Sequence, residues 1–181
     1  MAGFSAWEFE LRYPEEANLA EISAIHATTE GATAHPLGTA EETNHAWIHD
    51  WQRDGIGYWV VVARGSGDHH APRAGSVVGV GGVRYQHLGG AGVFNLFCRL
   101  VPRVWGRGWA RHLALHALRT ANEHDPSTAV VVRSHPTNQI SEKVALAIGL
   151  RHLGRDDSGR AVLADRLLDA ATLRPLSLDS I

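Results

Sequence analysis

Val101-Pro102-Arg103-Val104-Trp105-Gly106-Arg107-Gly108-Trp109-Ala110 is the stretch on which the fold turns. Apolar residues from Val93 to Val101 predict a strand leading into it, and the run from Arg111 to Glu123 predicts a helix leading out. Trp109, Leu113, Leu115, Ala117 and Leu118 supply that helix with a partly buried face. Gly106 and Gly108 have no Cβ, so the chain can bend tightly there and bring main-chain N–H groups close to an anion. The free N–H groups at the start of the following helix favour phosphate oxygens, and Arg103 and Arg107 add charged donors at the rim. A pyrophosphate suits such a junction; so does an ordinary strand-to-helix turn with two solvated arginines, and the rest of the chain has to decide between them.

Upstream, Phe9 to Tyr13 predicts a strand, and Pro14-Glu15-Glu16 followed by Leu19, Ile22 and Ile25 predicts a helix with proline and acids in its first turn. Glu30 to Gly38 reads as a loop, and Thr39 with Glu42 three residues on caps a second helix through Trp47, Ile48 and Trp51. Tyr58 to Ala63 and Ser76 to Tyr85 are strands, separated by an exposed loop from Gly65 to Gly75. Downstream, Thr128 to Arg133 is a β-branched run, Asn138 to Ile148 a helix stopped by Gly149, and short strands follow near Arg151 to Gly154 and Arg160 to Leu167. The tail from Ala170, with Pro175, reads as irregular. The order is βααβββαβαββ, with no repeat or linker dividing it. The expectation is one α/β domain over residues 1–181, core about 8–168, with a mixed, mostly antiparallel sheet flanked by helices.

Composition narrows the function. A length of 181 residues and an apolar share of 44% suit one globular domain. The formal net charge of −2, with both signs interspersed, lacks the single-sign field that nucleic acid or an anionic membrane would need. Cys98 is the sole cysteine and lies in an apolar strand, so neither a disulfide nor a thiolate metal cluster is expected. No stretch is long enough to span a bilayer, and a cytoplasmic home is expected.

The element order, with Arg103-x-x-Gly106-x-Gly108 and the later Asn138-x-x-Ser141-x-x-Val144 before Gly149-Leu150, resembles the GNAT family of acyl-CoA-dependent N-acyltransferases over nearly the whole chain. Pro102 close before the glycine turn, and Asn-x-x-Ser opening the later helix, make it similar to the ribosomal-protein N-terminal acetyltransferases. The resemblance implies acetyl-CoA as cosubstrate, with its pyrophosphate on the main chain of Arg103, Gly106, Arg107, Gly108, Trp109 and Ala110. It implies pantetheine beside the strand end at Arg99, Leu100 and Val101, and Asn138 and Ser141 in contact with the same ligand.

The catalytic assignment departs from the pattern. Members of this branch often carry Glu seven residues before the equivalent of Pro102; here the residue is Asn95, which accepts no proton but can orient an amine or a water. Ala145 stands where many relatives place a tyrosine that protonates the leaving thiolate, and Ser141 is the substitute donor, against its ordinary role of bonding the first helical turn. Asn138 suits both an N-cap and a ligand contact. Candidate bases are His87, just after the third strand, and His35 and Glu30 in the loop between the first two helices.

Other signals carry less. His112 and His116 at i,i+4 lack a third ligand, His69-His70 sit in a loop, and no metal is expected. Trp47 and Trp51 suit core packing better than an acceptor wall. Arg84 and Arg99 in strands either line the acceptor groove or reach solvent along their stems. The leading function is transfer of an acetyl group from acetyl-CoA to a primary amine by direct attack. A non-catalytic acyl-CoA-binding or regulatory module is the alternative, which Asn95 and Ala145 would suit. A P-loop ranks last, because Trp109-Ala110 replaces the Lys-Ser/Thr it requires. The acceptor is a small molecule or a peptide, and a homodimer would cover an edge strand.

Overall fold

A computed structural model of the chain describes residues 8–27, 40–65, 71–156 and 158–168. The strands are β1 (Phe9–Arg12), β2 (Tyr58–Ala63), β3 (Val77–Leu88), β4 (Ala91–Leu100), β5 (Ala129–Ser134), β6 (Arg151–Arg155) and β7 (Ala161–Ala164). The helices are α1 (Leu19–Ala27), α2 (Ala40–Asp54), α3 (Trp109–His124) and α4 (Gln139–Ala147). The observed order is βααβββαβαββ, as the sequence predicts. Glu30, His35, Thr39, His69, His70 and the tail from Ala170 lie outside the described residues.

The seven strands form one sheet in the order β1-β2-β3-β4-β5-β7-β6. Every neighbouring pair is antiparallel except β4 and β5, which run parallel. A parallel pair needs a crossover, and α3 supplies it. One face of the sheet packs Val83, Phe94, Leu96 and Val130 against Trp109, Leu113, Ala117 and Ala121 of α3 and Ala145 of α4. The other face packs Tyr58, Val60, Val62 and Val80 against Ile22 of α1 and Trp47 of α2. The sheet thus separates an α3/α4 side from an α1/α2 side. No helix among the described residues is long and apolar enough to cross a membrane.

Several boundaries differ from the sequence reading: the last strand ends at Ala164 and not at Leu167, and two others lie in the N-terminal half. The β3 strand runs on to Leu88 instead of stopping at Tyr85, because Gly89 and Gly90, with φ of 57° and 86°, close a two-residue hairpin turn onto Ala91. His87 is therefore inside β3, opposite Gly92, and not beyond the strand. The first helix is also shorter: a 3-10 turn at Glu16–Asn18 precedes α1, with the Asn18 side chain accepting from the Glu15 N–H at 3.0 Å.

Candidate active site

The parallel ladder between β4 and β5 is short: Val93, Phe94 and Asn95 pair with Ala129, Val130 and Val131, and there it stops. Beyond Asn95, β4 continues to Leu100 along β3, while β5 continues to Ser134 along β7. The strands diverge, and Asn95 stands at the fork.

The register of β3 and β4 decides which main-chain groups face the gap. The Val101 N–H donates to the Val78 carbonyl at 2.9 Å, so Val101, Arg99, Phe97 and Asn95 turn their main-chain groups toward β3. Leu96, Cys98 and Leu100 turn theirs toward the gap. Of the three residues expected to meet pantetheine, Arg99 and Val101 therefore offer it no main-chain group. Leu100 does face the gap, with its carbonyl already accepting from Trp105 Nε1 at 2.7 Å. Leu96 and Cys98 also turn main-chain groups to the gap; the alternation was readable in the sequence, but its phase was not. Burial pushes the Cys98 thiol up to about 12, so its side chain is an inert apolar group.

Past the strand, Pro102–Val104 forms a 3-10 turn, and Gly106 and Gly108 take φ of 75° and 78°, the left-handed region that glycine enters without penalty. Among the described residues, no atom beyond each glycine and its two chain neighbours lies within 4 Å of where a Cβ would stand on either. The space above the turn is open to a ligand, which a side chain would fill. Gly108 caps α3, whose first helical bond runs from the His112 N–H to the Gly108 carbonyl at 3.1 Å. The N–H groups of Trp109, Ala110 and Arg111 precede any helical acceptor. Arg103 is exposed, and no described residue pairs with it. Arg107 stands 3.8 Å from Glu8, whose carboxylate also accepts from Trp109 Nε1 at 3.2 Å. The Trp109 ring is buried against Phe9, with ring centres 5.1 Å apart, so this residue brings only its main chain to the turn. Open left-handed glycines, free N–H groups and Arg103 together fit a pyrophosphate.

At the fork, Asn95 Nδ2 donates to the hydroxyl of Tyr58 at 2.6 Å, and that hydroxyl donates a longer bond of 3.4 Å to the Asn95 carbonyl. Tyr58 is buried, which raises its pKa and keeps it neutral. The Arg84 guanidinium lies over its ring at 6.0 Å from the centroid. Arg84 is held by Asp50, Nε to Oδ2 at 2.8 Å without hydrogen-bond alignment, and Arg53 holds the other oxygen at 2.9 Å. Burial raises the pKa of Asp50, and the two arginines pull it back. Asn95, half-buried, keeps Oδ1 clear of every described donor, so the network fixes the amide and leaves an acceptor at the fork.

The remaining expected residues divide. Asn138 caps α4, its Oδ1 accepting from the Ser141 N–H at 3.1 Å. Ser141 Oγ has no described partner. His87 projects on the α3/α4 side with Tyr85, at 5.4 Å ring to ring, whereas Asn95 and its partner across the ladder, Arg84, project on the α1/α2 side. The sheet separates His87 from the Asn95 amide, which argues against it as the base. Trp47 is core, edge-on to Tyr58 at 5.3 Å, while Trp51 Nε1 donates to the Tyr58 carbonyl at 2.9 Å. His116 packs on Trp59, ring centres 5.3 Å apart. Tyr58 and Asp50 are the members of the network that sequence reading did not single out, and Arg84 is one it weighed for the acceptor groove; strand register brings Tyr58 and Arg84 to Asn95, and the packing of α2 on that face brings Asp50.

The model of the acetyltransferase (GNAT) domain matches residues 8–151. Among curated proteins, none matches the chain in sequence. Similar solved structures include an acetyltransferase from Agrobacterium tumefaciens str. C58, 19% identical, with a TM-score of 0.72, covering 92% of this chain and 95% of that one. A ribosomal L7/L12 α-N-protein acetyltransferase is 16% identical, with a TM-score of 0.64 and coverage of 90% and 92%. A spermidine N-acetyltransferase chimera from Vibrio cholerae and hSSAT is 14% identical, with a TM-score of 0.62 and coverage of 87% and 93%. At such identities the likeness shows the fold.

Proposed function

The chain belongs to the GNAT acetyltransferase family, and from that premise we propose that it transfers an acetyl group from acetyl-CoA to a primary amine. The observation that carries this is a ladder ending at Asn95 and Val131, past which β4 runs on without β5 to a turn with two open left-handed glycines that starts α3.

Acetyl-CoA supplies the thioester that the amine attacks, with a new C–N bond formed and the CoA thiol released. Arg103 and the main chain from Gly106 to Arg111 hold the pyrophosphate. The gap-facing groups of Leu96 and Cys98 hold the pantetheine arm as a strand would be held, and the Leu96 N–H is the donor placed for the carbonyl oxygen. Asn95 Oδ1 accepts one N–H of the incoming amine and so orients its lone pair. Tyr58 anchors that amide, its hydroxyl accepting from Nδ2 while its own proton is turned to the Asn95 carbonyl. The surplus amine proton passes to water, and Ser141 Oγ donates to the departing sulfur.

The test is release of CoA thiol with a panel of primary amines. Amine-dependent release that is lost in Asn95→Leu supports the reading. Tight acetyl-CoA binding without release for any amine would replace it with the acyl-CoA-binding module that Asn95 also suits.

A further inference from the structure

Among the described residues, four partly buried arginines stand beside acids. Arg84 stands 2.8 Å from Asp50, Arg107 3.8 Å from Glu8, Arg133 2.5 Å from Asp156 and Arg166 2.7 Å from Asp165. Half-buried Arg99 differs: no described carboxylate lies within ion-pair distance. Its guanidinium stacks over Phe97, 5.6 Å from the ring centre, and hydrogen-bonds His26 Nδ1. Nδ1 can accept that bond only on a neutral ring, and burial together with Arg99 holds the His26 pKa down at about 4. The cation is fixed in place by a partner that leaves its charge intact.

Arg99 pairs across the ladder with Val80, a core residue of the α1/α2 side, and so projects to the same side as Asn95. It belongs to the part of β4 that has parted from β5. Four residues at about 3.3 Å each put its Cα some 13 Å from that of Asn95, and the lean over Phe97 brings the guanidinium nearer. We infer that Arg99, held by His26, recognises an anionic group on the acceptor about 7 to 13 Å from the reacting amine. This rests on the acetyl-transfer reading and names its substrate class: a primary amine carrying a distant carboxylate, such as an ω-amino acid or an acidic peptide, and not a polyamine. An unpaired, half-desolvated guanidinium gains more from a carboxylate than from a neutral amide, and repels a second cation.

The test measures initial rates at saturating acetyl-CoA for ω-amino acids from glycine to 8-aminooctanoate, and for the primary amide of each. Wild type should favour the long acids over their amides by about tenfold in kcat/KM, with glycine showing no such preference. Arg99→Gln should bring that ratio to about one, Arg99→Lys should keep part of it, and the KM for acetyl-CoA should stay within about twofold in both. Equal use of acids and amides by wild type would overturn the inference. So would an Arg99→Gln variant with a raised acetyl-CoA KM and an unchanged preference, which would make Arg99 a CoA contact. If no amine releases thiol, the transferase reading fails by itself. Calorimetry of the CoA-saturated protein with N-acetyl-8-aminooctanoate and its amide then decides the anion site, which stands if the acid binds tighter through Arg99 and falls if the two bind alike.

Discussion

The two ends of the proposed site, the glycine turn for phosphate and the fork for the reaction, are built by different means. At the phosphate end the main chain does the work: two left-handed glycines, a 3-10 turn and the start of α3 fall within a few consecutive residues. At the reaction end side chains do it, and they come from far apart: Tyr58 meets Asn95 across 37 positions, Asp50 meets Arg84 across 34, and His26 meets Arg99 across 73. A local device tolerates drift in the surrounding sequence as long as its backbone angles survive. A network of side chains can be retuned one residue at a time, which suits a fold shared by acetyltransferases named for spermidine and for a ribosomal protein.

The largest effect should separate the two ends outright. Gly108→Glu forces a side chain into the left-handed region, at about 1–2 kcal/mol, and puts a carboxylate where pyrophosphate would lie. Calorimetry should show acetyl-CoA affinity down by about 100-fold with circular dichroism unchanged; an unaltered affinity would remove the phosphate end from the account.

Tyr58→Phe is the converse test. It leaves Asn95 Nδ2 without its partner, a loss of about 1–3 kcal/mol that should appear as a kcat lower by about tenfold while acetyl-CoA affinity holds. Equal losses in both quantities would mean that the two ends are one coupled unit. Trp105→Phe frees the Leu100 carbonyl at the joint between them, and about 1 kcal/mol there should raise the acetyl-CoA KM about fivefold.

The smallest effect is on stability. His26 has a folded pKa of about 4 against 6.5 unfolded, so the folded state binds fewer protons in that window and stability falls as pH drops from about 6.5 to about 4. His26→Gln lacks this term, and its melting temperature should fall less between pH 7 and 5 than that of wild type, by about 4 °C. Parallel melting curves would show that His26 is not held neutral by burial and Arg99.

What the sequence made legible follows the same division. Strand, glycine turn and helix from Val93 to Glu123 could be read because period, turn chemistry and helix start are all local signals. So could the Asn138 cap, whose bond to the Ser141 N–H spans three residues. The phase of β4 could not: choosing Leu96 and Cys98 over Arg99 and Val101 needs one cross-strand bond, Val101 N–H to the Val78 carbonyl, and a one-residue slip inverts the answer. The same blindness made His87 a candidate base, since nothing in the sequence said that β3 would run past Tyr85 and turn this histidine to the opposite side of the sheet from Asn95. Gly89-Gly90 was the signal that could have extended the strand.

The most direct test of the central claim is amide-resolved NMR of the protein titrated with acetyl-CoA. The account predicts saturable shifts concentrated at Leu96, Cys98 and Leu100 and at Gly106 to Arg111, with Arg99 and Val101, whose N–H groups are bonded to β3, moving less. Saturable binding with its shifts elsewhere, or with Arg99 and Val101 moving most, would contradict it.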